Sequence, residues 1–270
     1  MPFPTLVAPK DLPPASLLLD ARPGPAAFTL KHLPGAVHAD LDRFLSRASD
    51  PGADPVHGGR HPLPAPARWA AQLGQWGITP ETPVVAYDDA NGGNGAARLW
   101  WMLRAFGHER VAVLDGGIQA AEGCLGPRDL APRPPAPPYP CDHWLRPTVT
   151  LEEVDRLRRD PAWKVLDVRA HPRYLGETEP IDPVAGHIPG ALNLPFAENL
   201  DSQGHYKDAG SLRRMYEAFL AGTPPDHLIV HCGSGVTACH TLLALDLAGL
   251  EGAALYVGSW SEWCRNPKPI

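Results

Sequence analysis

The sequence predicts an α/β protein of two similar domains, each a parallel sheet flanked by helices, joined by a proline-rich linker. Three observations predict it: a set of short motifs occurs twice in the same order, apolar strand-like pieces alternate with helical patterns in each half, and prolines crowd the stretch between the halves.

Taken in chain order, Leu17-Leu-Leu-Asp-Ala-Arg22 and Lys164-Val-Leu-Asp-Val-Arg169 are each a short apolar strand ending in Asp-x-Arg. His32-Leu-Pro-Gly-Ala36 and His187-Ile-Pro-Gly-Ala191 follow them, each leading into a further strand-like piece. Pro83-Val-Val-Ala-Tyr87 matches His227-Leu-Ile-Val-His231 as the next buried strand. Helical patterns over 96–106 and 238–248 come next, and Val111-Ala-Val-Leu-Asp-Gly-Gly117 matches Ala253-Ala-Leu-Tyr-Val-Gly-Ser259 near the end of each half. Between the halves, residues 126–147 hold Pro132, Pro134, Pro135, Pro137, Pro138 and Pro140, a composition that favours extended, semi-rigid chain. The expected division is therefore 1–126, a linker over 127–147, and 148–270.

Bulk properties exclude several function classes. The chain has 270 residues, 44% of them hydrophobic, and a net charge of −6 with no basic stripe, which argues against nucleic acid as a partner. Its apolar runs are far shorter than a membrane span and the N-terminus lacks the charged and apolar regions of a signal peptide, so the expectation is a soluble, cytoplasmic protein. The five cysteines, at 124, 141, 232, 239 and 264, include no C-x-x-C pair; free thiols, no disulfide framework and no zinc site are expected. Neither a metal nor an organic cofactor is called for. An adjacent pair, Asp88 and Asp89, offers too few oxygens for Mg²⁺ or Ca²⁺.

The chemistry is expected at His231-Cys-Gly-Ser-Gly-Val-Thr-Ala238, where one cysteine ends an apolar strand and a glycine-bearing loop leads into a helix. Inward-pointing N–H groups of such a loop, with the positive end of the helix, favour thiolate over thiol, so Cys232 is the candidate nucleophile. A cysteine-dependent phosphatase would need an arginine six residues on, and position 238 is alanine. The first half has Asp88-Asp-Ala-Asn-Gly-Gly-Asn-Gly95 at the matching place and no thiol, so a single active site is expected. Ser234 suits either a hydroxyl presented to substrate or a turn and cap residue. Recurring in both halves, His32 and His187 point to a structural task. Strand alternation turns His231 away from the cysteine side, while Cys239, Arg98, Trp100, Trp101, Trp260 and Trp263 read as packing and surface residues.

Cys232-Gly-Ser-Gly-Val-Thr237 resembles the active-site loop of the tandem-domain rhodanese superfamily, in its 3-mercaptopyruvate sulfurtransferase form, and the resemblance spans about residues 6–263. Thiosulfate-type members typically carry basic side chains just after the cysteine. The resemblance implies sulfur transfer through a Cys232 persulfide, from a small anionic donor to a thiol, a thioredoxin-type protein or cyanide. It implies a relay of Ser234 with Asp42, from Asp40-Leu-Asp42, and His61, from His61-Pro-Leu-Pro64; on the residues alone, Asp42 reads as a cap of a turn or helix and His61 as a solvated histidine. It implies donor binding by Gly233, Gly235, Val236 and Thr237 and by Arg173, which otherwise reads as a surface arginine. The family's second arginine, shortly before Gly-His-Ile-Pro-Gly, has no counterpart in Thr178-Glu-Pro-Ile-Asp-Pro-Val-Ala-Gly186, and Arg169 and Arg60 are the candidate substitutes. Two other readings stay open: a thiosulfate:cyanide sulfurtransferase, and a non-catalytic persulfide carrier or redox module.

Overall fold

The computed structural model describes residues 3–123 and 133–270, and the expectations for Cys124 and for 126–132 lie outside these. The first half contains β1 (Leu6–Val7), β2 (Leu17–Asp20), α1 (Pro25–Leu30), β3 (Val37–His38), α2 (Leu41–Phe44), α3 (Pro66–Gln75), β4 (Val84–Tyr87), α4 (Ala96–Arg104), β5 (Val111–Leu114) and α5 (Gly117–Ala121). The second half runs β6 (Thr148–Val149), α6 (Leu151–Leu157), β7 (Lys164–Asp167), α7 (His171–Tyr174), β8 (Leu192–Asn193), α8 (Ala209–Leu220), β9 (Leu228–His231), α9 (Ala238–Leu247), β10 (Ala254–Tyr256) and α10 (Ser259–Trp263).

Each half forms a five-stranded sheet, in the orders β1-β5-β4-β2-β3 and β6-β10-β9-β7-β8, with every pairing between strands parallel. The two orders are the same permutation, as the repeated motifs require. The central strands β2, β4, β5 and β9 are buried along their whole length, which is why they read as apolar runs, broken only by Asp20 and His231 at the ends of β2 and β9. The two-residue edge strands β1 and β6 carry too little apolar pattern to be seen in the sequence.

Register explains the repeated Asp-x-Arg. Asp20 pairs with Tyr87 and Asp167 with His231, so each aspartate stands beside the residue that precedes Asp88 or Cys232. Asp20 accepts the Arg22 N–H at 3.1 Å and its guanidinium at 2.6 to 3.2 Å, and Arg22 donates on to the Lys31 carbonyl. Asp167 and Arg169 repeat this at 2.6 to 3.0 Å, with Arg169 donating to the Gly186 carbonyl. In both copies the arginine thus holds the carbonyl just before His-x-Pro-Gly. His32 and His187 serve the same turns, through Nδ1 to the Phe28 and Tyr174 carbonyls at 2.9 and 2.8 Å.

Contacts group residues 1–49 and 64–146 into one unit and 50–63 and 147–270 into a second. This differs from a division at 126 and 147 in two places. Residues 133–146 hold neither helix nor strand but pack on the first unit: Ala136 N–H donates to Gly74, Tyr139 N–H to Ala70 and Leu145 N–H to Ala105, and the Tyr139 ring is buried beside Phe106 and His108. Residues 50–63, from the first half of the sequence, are built into the second unit.

Candidate active site

The loop after β9 is held from below by the start of α10. Trp260 N–H donates to the Cys232 carbonyl at 3.0 Å and Ser261 N–H to the Gly233 carbonyl at 2.9 Å. Ser259 adopts the left-handed backbone region at φ 55°, uncommon for a non-glycine residue, and its hydroxyl accepts the Cys232 N–H at 3.2 Å while donating to Tyr256. Gly235, at φ 75°, passes so close to Val257 that a β-carbon would lie 2.5 Å from its carbonyl oxygen, and its N–H donates to Cys232 Sγ at 3.2 Å. Val236 and Thr237 carry the chain into α9, their carbonyls accepting the N–H groups of Cys239 and His240. Cys232 and Ser234 are only 2% and 6% exposed.

A strap over 56–61 lies across this loop. Asn266 Nδ2 donates to the Val56 carbonyl, Gly58 N–H to Glu262 Oε1 at 2.6 Å, and Arg60 N–H to Ser261 Oγ at 3.0 Å. Gly59, at φ 76°, leaves no room for a β-carbon against the Gly258 carbonyl and Ser261. Seated this way, the strap brings His61 Nδ1 to 2.7 Å from Ser234 Oγ. Asp42 lies in the first unit on the short helix α2, which Asp40 caps by accepting the Arg43 N–H at 2.8 Å.

Two arginines reach Gly233. A β-carbon there would lie 3.1 Å from Arg60 Nη2 and 3.6 Å from both terminal nitrogens of Arg173. Arg173 donates to Glu179 at 2.6 Å, and Arg60 pairs with the fully buried Asp182 at 3.2 Å, which also accepts from Arg265 at 2.8 Å. Burial pushes the Glu179 carboxyl up, yet the Asp182 and Ile181 N–H groups and the Arg173 guanidinium together bring it below its ordinary value. Arg169 does not reach the loop. It is spent on Asp167, Glu179 and the Gly186 carbonyl, and lies over the Trp260 ring.

The remaining candidates take structural places. Cys239 is buried and directed at the Gly235 carbonyl. Arg98 and the tryptophans 100, 101, 260 and 263 are all buried, so the surface reading is corrected: the core around α4 and α10 has no solvent-facing side at these positions. His231 is also buried, 3.8 Å from Asp167, and burial lowers its pKa. Among the described residues, cysteines 141, 232, 239 and 264 form no disulfide.

In the first unit the Asp88 carboxylate stands where the second has its cysteine. It accepts the N–H groups of Ala90 and Gly92 through one oxygen and those of Asn94, Gly95 and Ala96 through the other, all at 2.8 to 3.0 Å. Ile118 N–H donates to the Asp88 carbonyl at 2.9 Å, as Trp260 does to Cys232.

The family model described as a rhodanese-like domain matches residues 6–123 and again 150–266. The chain belongs to the rhodanese family. It is 43% identical, over 93% of its own length and 87% of the relative's, to the Pseudomonas aeruginosa protein named "Probable 3-mercaptopyruvate sulfurtransferase". It is 37% identical to thiosulfate sulfurtransferase of Bos taurus, over 88% of this chain and 79% of that one. Among solved structures, 3-mercaptopyruvate sulfurtransferase from Leishmania major matches with a TM-score of 0.80 at 28% identity, covering 96% of this chain and 74% of that one. Family and relatives together make this rhodanese-family protein an enzyme of the sulfurtransferase class. No helix among the described residues is long and apolar enough to cross a membrane.

Proposed function

We propose that this sulfurtransferase takes sulfur from 3-mercaptopyruvate onto Cys232 and passes it to a thiol, a thioredoxin-type protein or cyanide. The observation that carries this reading is the 2.7 Å contact between His61 Nδ1 and Ser234 Oγ, two residues from the thiol. A donor that releases carbon needs a proton at the carbon left behind, whereas sulfite leaves thiosulfate as a stable anion. A hydroxyl backed by an imidazole supplies that proton.

In this scheme the Cys232 thiolate attacks the donor sulfur and the carbon–sulfur bond breaks. Its electron pair departs as the enolate of pyruvate, leaving Cys232 as a persulfide. Ser234 protonates the enolate and His61 restores the serine proton. The acceptor then attacks the outer sulfur and regenerates the thiolate. Gly233, Gly235, Val236 and Thr237 frame the donor, and Arg173 takes its anionic end. Free cysteines suit a reducing compartment, and we place the enzyme in the cytoplasm on that ground.

Incubation with 3-mercaptopyruvate, followed by intact-protein mass, is expected to add one sulfur to the wild type and none to Cys232→Ser. A sulfur gain in Cys232→Ser would overturn the assignment. Faster turnover of thiosulfate than of mercaptopyruvate under one acceptor would transfer it to the thiosulfate reaction.

A further inference from the structure

We propose that Arg60, carried in from the first half of the sequence, binds the carboxylate of the sulfur donor together with Arg173. The inference rests on the mercaptopyruvate reading above and names the residue that recognises this donor's acid group. The stretch 178–186 contains no arginine. It supplies two carboxylates instead, Glu179 and Asp182, and these seat Arg60 Nη2 and both terminal nitrogens of Arg173 in the space that a β-carbon on Gly233 would face, next to the nucleophile.

Charge and donor geometry support the assignment. Arg169 is neutralised by Asp167. Three guanidinium groups, of Arg60, Arg173 and Arg265, then meet the two carboxylates of Glu179 and Asp182, which leaves one positive charge for a monoanionic group. Arg60 spends Nε and Nη2 on Asp182, and its Nη1 makes no hydrogen bond among the described residues. Arg173 Nε is buried without a partner. Both side chains are about one-fifth exposed, at 23% and 20%, so neither is sealed off from a ligand. A carboxylate over Gly233 would receive a donor from each guanidinium while its sulfur lies toward Cys232.

Two measurements on the full chain test this. The first compares 3-mercaptopyruvate with mercaptoacetone, which replaces the carboxylate by a methyl group. In Arg60→Gln the ratio of kcat/KM for mercaptopyruvate to that for mercaptoacetone is expected to fall about tenfold or more, the size of one lost charge-assisted hydrogen bond, mainly through KM. Arg60→Lys, which keeps the charge beside Asp182, should lie between wild type and Arg60→Gln, and it carries the test if the glutamine variant does not fold. An unchanged ratio overturns the proposal, even if both rates fall, because Arg60 would then only position the loop. The second measurement is calorimetric binding of pyruvate, which has the carboxylate and no sulfur. Its Kd should rise about tenfold in Arg60→Gln, whether or not Cys232 accepts sulfur in the mass experiment; an unchanged Kd overturns the proposal independently of the reaction.

Discussion

Ser234 and His61 are 173 positions apart in the chain and 2.7 Å apart in the fold, and their contact gives the donor question a direct test. Ser234→Ala removes the hydroxyl beside the thiol and leaves the backbone of the loop in place. Loss of a positioned proton-transfer group should cost turnover of 3-mercaptopyruvate about 10²-fold or more. Thiosulfate should lose much less. Steady-state rates with both donors check this, and equal losses would reduce Ser234 to a residue that shapes the loop. At this scale the sequence was legible where the motif was local: Cys232 stands at the end of its strand because Leu228–His231 reads as one, and Gly235 is required by a positive φ and a close approach. Arg60 was legible only as an alternative to Arg169. Its carboxylate partner is 122 positions away, and no periodicity connects the two.

The strap over 56–61 is the element that converts this distant pairing into geometry. It has no strand or helix of its own and no apolar period, so nothing in its sequence announces which half it joins. Its bonds to Ser261, Glu262 and Asn266 span 201 to 210 positions. Gly59 is the point of closest approach. Gly59→Ala would combine a left-handed alanine with a clash against the Gly258 carbonyl, and should cost about 2 kcal/mol or more in denaturant-derived stability. The same substitution should lower turnover beyond what the stability loss explains, since it lifts His61 and Arg60 from the loop. Near-wild-type stability would mean that the strap sits more loosely on α10 than the hydrogen bonds describe. The β-α alternation, by contrast, was open to reading throughout: the interiors of the central strands are apolar, and the repeated Asp-x-Arg marks the ends of β2 and β7.

For the whole molecule, contact grouping means that cutting the chain at its proline-rich stretch would not separate the two units. A fragment over 148–270 leaves behind residues 50–63, and with them the partners of Ser261, Glu262, Asn266 and Asp182. Such a fragment should melt about 10 °C below the same unit supplied with the strap, the effect of a few lost hydrogen bonds in a domain of this size. A synthetic peptide of residues 50–63 added in trans should raise the melting temperature in a concentration-dependent way. A peptide without effect would show that the strap contributes nothing to the second unit's stability.

The duplication ends in two loops of one design with opposite dependence on chemistry. In the first unit the loop closes on a carboxylate built into the polypeptide, that of Asp88, which accepts five N–H groups. In the second, the matching place is held by the sulfur of Cys232, which accepts the Gly235 N–H. An oxidant or alkylating agent that consumes that sulfur therefore acts on the second loop, while residues 88–95 of the first offer it no thiol. One copy is a chemically inert cast of the other, and the enzyme carries within a single chain a reference state against which the reactivity of its own active loop can be measured.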